Sequence, residues 1–360
     1  MGRASRPLTT DGLTVADLRD MFAEALERPG ADPDLDFFAA GGRAGEAGEL
    51  FALIADRLGV VLPTSLLLTS PTPATLHDRL AGYDGGLVER VVAGGAGTPV
   101  FVVHDSSGGV IWARSFAEGL GARRPVFALR PALLTDLKQV SSIEALAAGY
   151  VEALCEAVPE GPVVLYGYST GGEIAFAMAR LLEAGGRQVA AVGLADTATP
   201  ARLPGAPYWG QLRSGWTEAR VLAPRERMAV ALLVAVMTLR WCRGVVRAFL
   251  GGLRRGRLVT PGTELRALIA RTSFPNAYRA AEWAVAEHLF PLVYAYNPSG
   301  RVDAPIFVAR TTPLHRADAY GWGAWTNGEL RLSVIGGSHL HLDHRTTGAA
   351  FGSFLEDLQA

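Results

Sequence analysis

The sequence predicts an α/β protein: a doubly wound parallel sheet preceded by a small helical bundle. Three observations carry this. From about residue 98, short apolar runs alternate with amphipathic helices. A G-x-S-x-G sequence lies between one such run and one such helix. Before residue 83, apolar residues recur at helical spacing among acids. A length of 360 residues suits such a chain, at about 100–200 residues per domain.

After a tail over residues 1–13, residues 14–29 read as an amphipathic helix. Val15, Leu18, Met21, Phe22, Ala25 and Leu26 recur every three or four positions, and Pro29-Gly30 ends the run. DPDLDFFAAGG follows as a turn-rich stretch, with two Phe to plug a small core and Gly41-Gly42 to loosen the chain. Leu50, Phe51, Ile54, Ala55 and Leu58 make a second helical face. In LGVVLPTSLLLTSPTPATLHDRL, Pro63 breaks the period and Ser70-Pro71-Thr72-Pro73 precedes a final helix carrying Leu76 and Leu80. Residues 14–82 are thus expected to form about four helices, and the Gly-rich residues 83–97 a linker.

The second part begins with the buried-strand run Pro99–Val103, the loop His104-Asp-Ser-Ser-Gly-Gly109 and a helix with Trp112, Phe116 and Leu120. A strand at Pro125–Leu129, a helix over about Ile143–Ala157 and a strand at Pro162–Tyr166 lead into Gly167-Tyr168-Ser169-Thr170-Gly171-Gly172. Small residues there permit the sharp turn that lifts a Ser hydroxyl above the sheet edge, so Ser169 is the expected nucleophile. Thr170, directly after it, supplies one oxyanion N–H. The second should come from the loop after the first strand; Ser106 is preferred, with Asp105 and Ser107 left open. A base and an orienting acid must complete the set. His339, after Gly336-Gly337 and the strand Leu330–Ile335, is the leading base, with His341 and His344 as alternatives. Asp196, at the end of the strand after the elbow helix, is the leading acid. Asp318, after the strand Pro305–Ala309, is the alternative. A zinc site built from the three histidines lacks a distant ligand set at suitable spacing.

Composition narrows the function class. The chain has 34 Lys+Arg against 35 Asp+Glu, which gives no overall basic field for nucleic acid. The charge is uneven, with 8 Arg against 14 acids in residues 1–90 and 14 Arg against 5 Glu in residues 201–300. Cys155 and Cys242 form no disulfide or zinc framework, which fits a reducing cytoplasm. No apolar signal core opens the chain, and the longest apolar run, Met228–Leu239, is 12 residues against about 20 for a bilayer span. Neither secretion nor a stable membrane span is expected.

Two resemblances follow from these motifs. LDFFAAGG, LGVVLP and SPTPATL together resemble an acyl or peptidyl carrier domain over residues 14–82. Such domains hold a phosphopantetheine arm on a Ser two residues after the Gly pair, where a helix N-terminus favours phosphate. Here that position is Ala44, and Gly45, Glu46 and Gly48 depart from the apolar helix start of the family. The bundle is therefore expected to fold like a carrier and stay unmodified. GPVVLYGYSTGGEIAFAMARLLEAGGRQVAAVGLADT, with FVVHDSSGGVIW and GGSH, resembles the type I thioesterase domain of nonribosomal peptide and polyketide synthases over residues 98–358.

That second resemblance implies an α/β-hydrolase fold and an acid at the end of the strand after the elbow helix, which favours Asp196. It implies attack of Ser169 on an acyl thioester, an acyl-enzyme, and release by water or by an internal hydroxyl or amine. No cofactor or metal is implied in the thioesterase part. Phosphopantetheine is expected on the substrate carrier, not at Ala44. With its own starting Met and no upstream modules, the chain is expected to be a freestanding pair of domains whose substrate carrier is another protein. About residues 200–300 resemble the thioesterase lid, whose arginines at 240, 243, 247, 254, 255 and 257 would steer an acidic carrier or its phosphate; a peripheral membrane helix and a packed core helix with solvated Arg are the alternatives for this segment. The competing readings are a carboxylester hydrolase without carrier dependence and an assembly-line docking module with secondary catalysis.

Overall fold

The computed structural model describes residues 12–28, 32, 34–131, 139–197, 277–297, 300–311, 321–337, 339 and 342–359. The chain divides into two compact units, Met1–Ala201 with Val285–Ala360, and Arg202–Ala284. The arginines from 240 to 257, Cys242 and most of the expected lid lie outside the described residues.

Helix α1 (Val15–Ala25) opens with a reciprocal cap, in which Asp17 N–H donates to Thr14 Oγ1 at 3.1 Å and Thr14 N–H to Asp17 Oδ2 at 2.8 Å. Helix α2 (Ala44–Leu58), a 3-10 turn (Thr64–Leu68) and helix α3 (Pro73–Ala81) follow, so the fourth expected helix is only a short turn. Leu18, Phe22, Phe37, Leu50, Phe51, Ile54, Leu66, Leu76 and Leu80 fill the bundle's core. Gly42 does not loosen the chain: a Cβ there would overlap the Phe37 ring.

Seven strands form one sheet in the order β1-β3-β2-β4-β5-β6-β7. They are β1 (Val88–Val92), β2 (Val100–Val103), β3 (Val126–Leu129), β4 (Val163–Tyr168), β5 (Val189–Ala195), β6 (Ile306–Arg310) and β7 (Leu330–Val334). All neighbours are parallel except β1, which pairs antiparallel with β3. Residues 83–97, expected to be a linker, thus contribute an edge strand with Val88 opposite Leu129. The nearby glycines are packed rather than loose, since a Cβ at Gly95 or Gly97 would fall within 2.9 Å of the Arg123 carbonyl.

Helices cover both sheet faces because alternate strand residues point opposite ways. Leu165, Phe101 and Val192 join Tyr150 of α5 (Ile143–Ala157) and Ile174 of α6 (Thr170–Ala184) in one core. Tyr166 and Phe307 face the other side, against Phe116 of α4 (Ala113–Leu120) and Phe351 of α8 (His344–Asp357). Helix α7 (Ala277–Ala295) contributes Val285, Leu289 and Val293 to the first core, so the end of the expected lid stretch is core structure.

Strand order reverses between β2 and β4, which opens a crevice beyond their carboxyl ends. The HDSSGG loop and the Ser169 turn both leave from that point.

A buried ion cluster ties the helical bundle to the sheet edge. Glu89 of β1 lies 3.1 Å from Arg79 of α3 and 3.5 Å from Arg130 beyond β3. Glu89 and Arg130 side chains are 4% and 1% exposed, so loss of Glu89 leaves the buried Arg130 charge without its carboxylate. Glu89→Ala should lower the unfolding free energy in urea by about 3 kcal/mol. Arg331→Ala, removing pairs to Glu329 and Asp357 on the surface, should cost less than about 1 kcal/mol.

Candidate active site

Ser169 follows β4 directly and caps α6 with φ 55 and ψ −126, a left-handed conformation costly for any side chain. The turn is possible because its flanks are glycine. A Cβ on Gly167 would strike the Gly171 carbonyl, one on Gly171 the carbonyls of Val103 and His104, and one on Gly172 the Thr197 side chain. Thr197 braces the turn by donating its hydroxyl to the Ser169 carbonyl at 2.9 Å, and Trp322 Nε1–H holds the Thr197 carbonyl at 2.9 Å.

Three expected residues meet here. Ser169 Oγ lies 3.1 Å from His339 Nε2, and His339 Nδ1 lies 2.9 Å from Asp196 Oδ2. An ionised carboxylate only accepts, so Nδ1 carries the ring proton and Nε2 accepts from the Ser169 hydroxyl. Asp196 also has a left-handed φ of 48, at the end of β5. Its carboxylate accepts from Thr311 N–H at 3.1 Å and from the Thr311 hydroxyl at 2.6 Å. Burial pushes the Asp196 carboxyl up, but the bonds from His339 and Thr311 outweigh it and hold the group below the usual carboxylate range.

Asp318 and His341 lie outside the described residues. The His344 ring stacks on Trp112, with centroids 4.6 Å apart, and burial pushes its pKa down to about 4.

In the HDSSGG loop, Asp105 N–H donates to the Gly109 carbonyl at 3.1 Å and Ser107 N–H to Asp105 Oδ1 at 2.8 Å. Those two amides are engaged. Neither the Ser106 nor the Thr170 N–H has an acceptor among the described residues. Burial raises the Asp105 carboxyl against the lowering bonds from Ser107 and Gly109. His104 anchors the loop from below. Its Nδ1–H donates to the Asp105 carbonyl at 2.6 Å, its Nε2 accepts from Tyr150 OH at 2.7 Å, and burial lowers its pKa to about 4.

Sequence reading missed Thr311, Thr197, Tyr168 and Trp112. Tyr168 OH donates to the His339 carbonyl, which ties the His339 backbone to the residue before Ser169. Trp112 packs edge-on against Tyr168 at 5.8 Å and donates Nε1–H to the Gly109 carbonyl at 3.2 Å, so one indole braces the HDSSGG loop, the Ser169 turn and α8. The register offered a signal for Thr311 alone: Ala195 pairs with Ala309, so the residues just past both strand ends are neighbours.

Among the described residues, no group of three or more His, Cys, Asp or Glu is placed to hold a metal ion, and no helix is long and apolar enough to cross a membrane.

Comparison with known proteins gives two family matches: the thioesterase domain over residues 98–357 and the phosphopantetheine attachment site over residues 16–80. A dimodular nonribosomal peptide synthase of Bacillus subtilis (strain 168) is 30% identical over 185 residues, 50% of this chain and 8% of its own length. Indigoidine synthase of Streptomyces lavendulae is 30% identical over 204 residues, 55% of this chain and 16% of its own length. The chain therefore spans a small part of these relatives. The crystal structure of a holo four-domain nonribosomal peptide synthetase bound to AMP and glycine aligns over 99% of this chain and 26% of its own, at 17% identity and a TM-score of 0.50. That likeness concerns the fold.

His104 and His344 both fold as neutral rings. Unfolded, each takes up a proton near pH 6.5, and folded only near pH 4, so between these values the unfolded chain binds more protons. Stability should be full above about pH 6.5 and fall as the pH drops towards 4, by about 1.4 kcal/mol per pH unit for each ring. Urea midpoints across this window should show the fall. His344→Phe, which keeps a ring against Trp112, should remove about half of it.

Proposed function

We propose that this chain, which belongs to the thioesterase domain family, releases an acyl, peptidyl or polyketide chain from a carrier-bound thioester through an acyl-Ser169 intermediate. The observation that carries the reading is the unbroken hydrogen-bonded line from Ser169 through His339 to Asp196, assembled from three separate strand ends. In this reading the thioester carbonyl oxygen sits between the N–H groups of Ser106 and Thr170, at the positive end of helix α6. Ser169 Oγ attacks the carbonyl carbon while His339 Nε2 takes the hydroxyl proton. Asp196 holds the imidazole in the required tautomer and stabilises the imidazolium. As the C–S bond breaks, His339 returns the proton to the departing thiolate of a phosphopantetheine arm. Water, or a hydroxyl or amine of the acyl chain, then attacks the acyl-Ser with His339 again as base.

The arm belongs to the substrate carrier and not to position 44, where Ala offers no hydroxyl for a phosphodiester. The domain division at 14–82 and 98–358 fits the two family matches, and the carrier partner follows from both.

With acyl-carrier thioesters, Ser169→Ala should lower kcat about 10⁴- to 10⁶-fold. Asp196→Asn should lower it about 10⁴-fold. A wild-type enzyme that prefers oxygen esters and ignores the carrier would instead be a carboxylester hydrolase. Tyr168→Phe, which removes one hydroxyl, should reduce kcat about 10- to 100-fold with KM little changed, because it frees the base's backbone rather than a substrate contact.

A further inference from the structure

We infer that the carrier-like bundle of residues 14–82 is a fixed, non-carrying part of this chain, locked to the open edge of the sheet, and that the thioester is brought by a second carrier. A domain that loads an acyl group at one site and delivers it at another must swing on a slack tether. Here the tether is absent from the described residues. Tyr83, two residues after α3, is 5% exposed, and Leu87 accepts a backbone hydrogen bond from Arg130 at 3.0 Å. Strand β1 starts one residue later and is paired into the sheet.

Side chains close the junction. Glu89 joins Arg79 of the bundle to Arg130 of the sheet, and the Arg130 guanidinium lies 5.2 Å from the centroid of the Tyr83 ring. At a second point, Arg114 of α4 lies over the Phe38 ring at 4.4 Å, just before the loop that leads to Ala44. The 3-10 turn of the bundle packs on β1, covering strand β1 at the end of the sheet. Two separated contacts and a paired connecting strand leave no pivot among these residues.

The attachment position matches this fixed role. Ala44 is the first residue of α2, and the Glu46 carboxylate accepts from Arg43 N–H at 2.9 Å. The chain's own acid thus occupies the helix N-terminus, where an arm's phosphate would otherwise sit.

The lock itself is independent of the thioester reading; only the identity of the second carrier rests on it. The test uses the full chain. Backbone ¹⁵N relaxation should give amides of residues 14–82 the same rotational correlation time as those of residues 98–131 and 139–197, within about a fifth. A bundle correlation time shorter by half or more would overturn the lock. Incubation with a phosphopantetheinyl transferase and CoA should add no pantetheinyl mass, and an adduct on residues 14–82 would overturn the non-carrying assignment. Finally, an acyl group loaded on a separate holo carrier should be hydrolysed in a Ser169-dependent way. Hydrolysis of small acyl thioesters with none from the carrier would overturn the second-carrier partner alone, whereas failure on both would overturn the thioester reading and leave the relaxation result standing.

Discussion

The architecture of the site depends on one close approach: the first turn of α6 is pressed against the ends of β2 and β5 with no room for side chains. Gly171 meets the Val103 and His104 carbonyls, Gly172 meets Thr197, and Gly167 meets Gly171 across the turn. This contact forces Ser169 into its left-handed conformation, and that conformation aims its hydroxyl out of the sheet. The cost of such backbone, on the order of 1–3 kcal/mol, is met by surrounding structure that permits no alternative. Thr197 and Trp322 supply part of it through hydrogen bonds at the back of the turn.

The same contact sets the neighbours. Because α6 starts against the end of β2, the HDSSGG loop lies next to Thr170, and the amides of Asp105 and Ser107 are engaged inside that loop. Because β5 and β6 are in register through Ala195 and Ala309, Asp196 reaches Thr311 and His339 together. Aromatic packing then fixes the less regular side. Trp112, Tyr168 and His344 form one cluster, and the Tyr168 hydroxyl carries its rigidity to the His339 backbone. Positions held this firmly are what a preorganised oxyanion site requires.

Much of this was legible in the sequence, for identifiable reasons. The apolar runs at Val100, Val126, Val163 and Val189 are buried on both faces, so they contain no charged residues to confuse their reading. The Ser169 position follows from a glycine-marked turn between strand and helix, whereas chain order left Asp196 beside Asp318 and His339 beside His341 and His344, with the thioesterase resemblance favouring Asp196. What escaped notice depends on contacts between distant residues: Thr311 on Asp196, Tyr168 on His339, and Glu89 between two arginines. Strand β1 was hidden because VERVV is short, carries two adjacent charges with no alternation and is flanked by glycines, so it reads as a link until β3 pairs with it. The glycines at 94, 95 and 97 looked like slack and are close packing, a distinction that composition does not encode.

A bundle fixed on the sheet edge and the Ser169–His339–Asp196 line beyond β4 together fit the proposal that this chain receives its acyl substrate rather than carrying it. That account stands or falls on Ser169 becoming acylated. The direct measurement is intact mass with peptide mapping, on wild type and Ser169→Ala, after brief exposure to an acyl-carrier thioester and separately to a fluorophosphonate. The account predicts one acyl or phosphonyl adduct on the wild-type peptide containing Ser169 and none on the variant. An adduct that persists in Ser169→Ala, or maps to another residue, would contradict it.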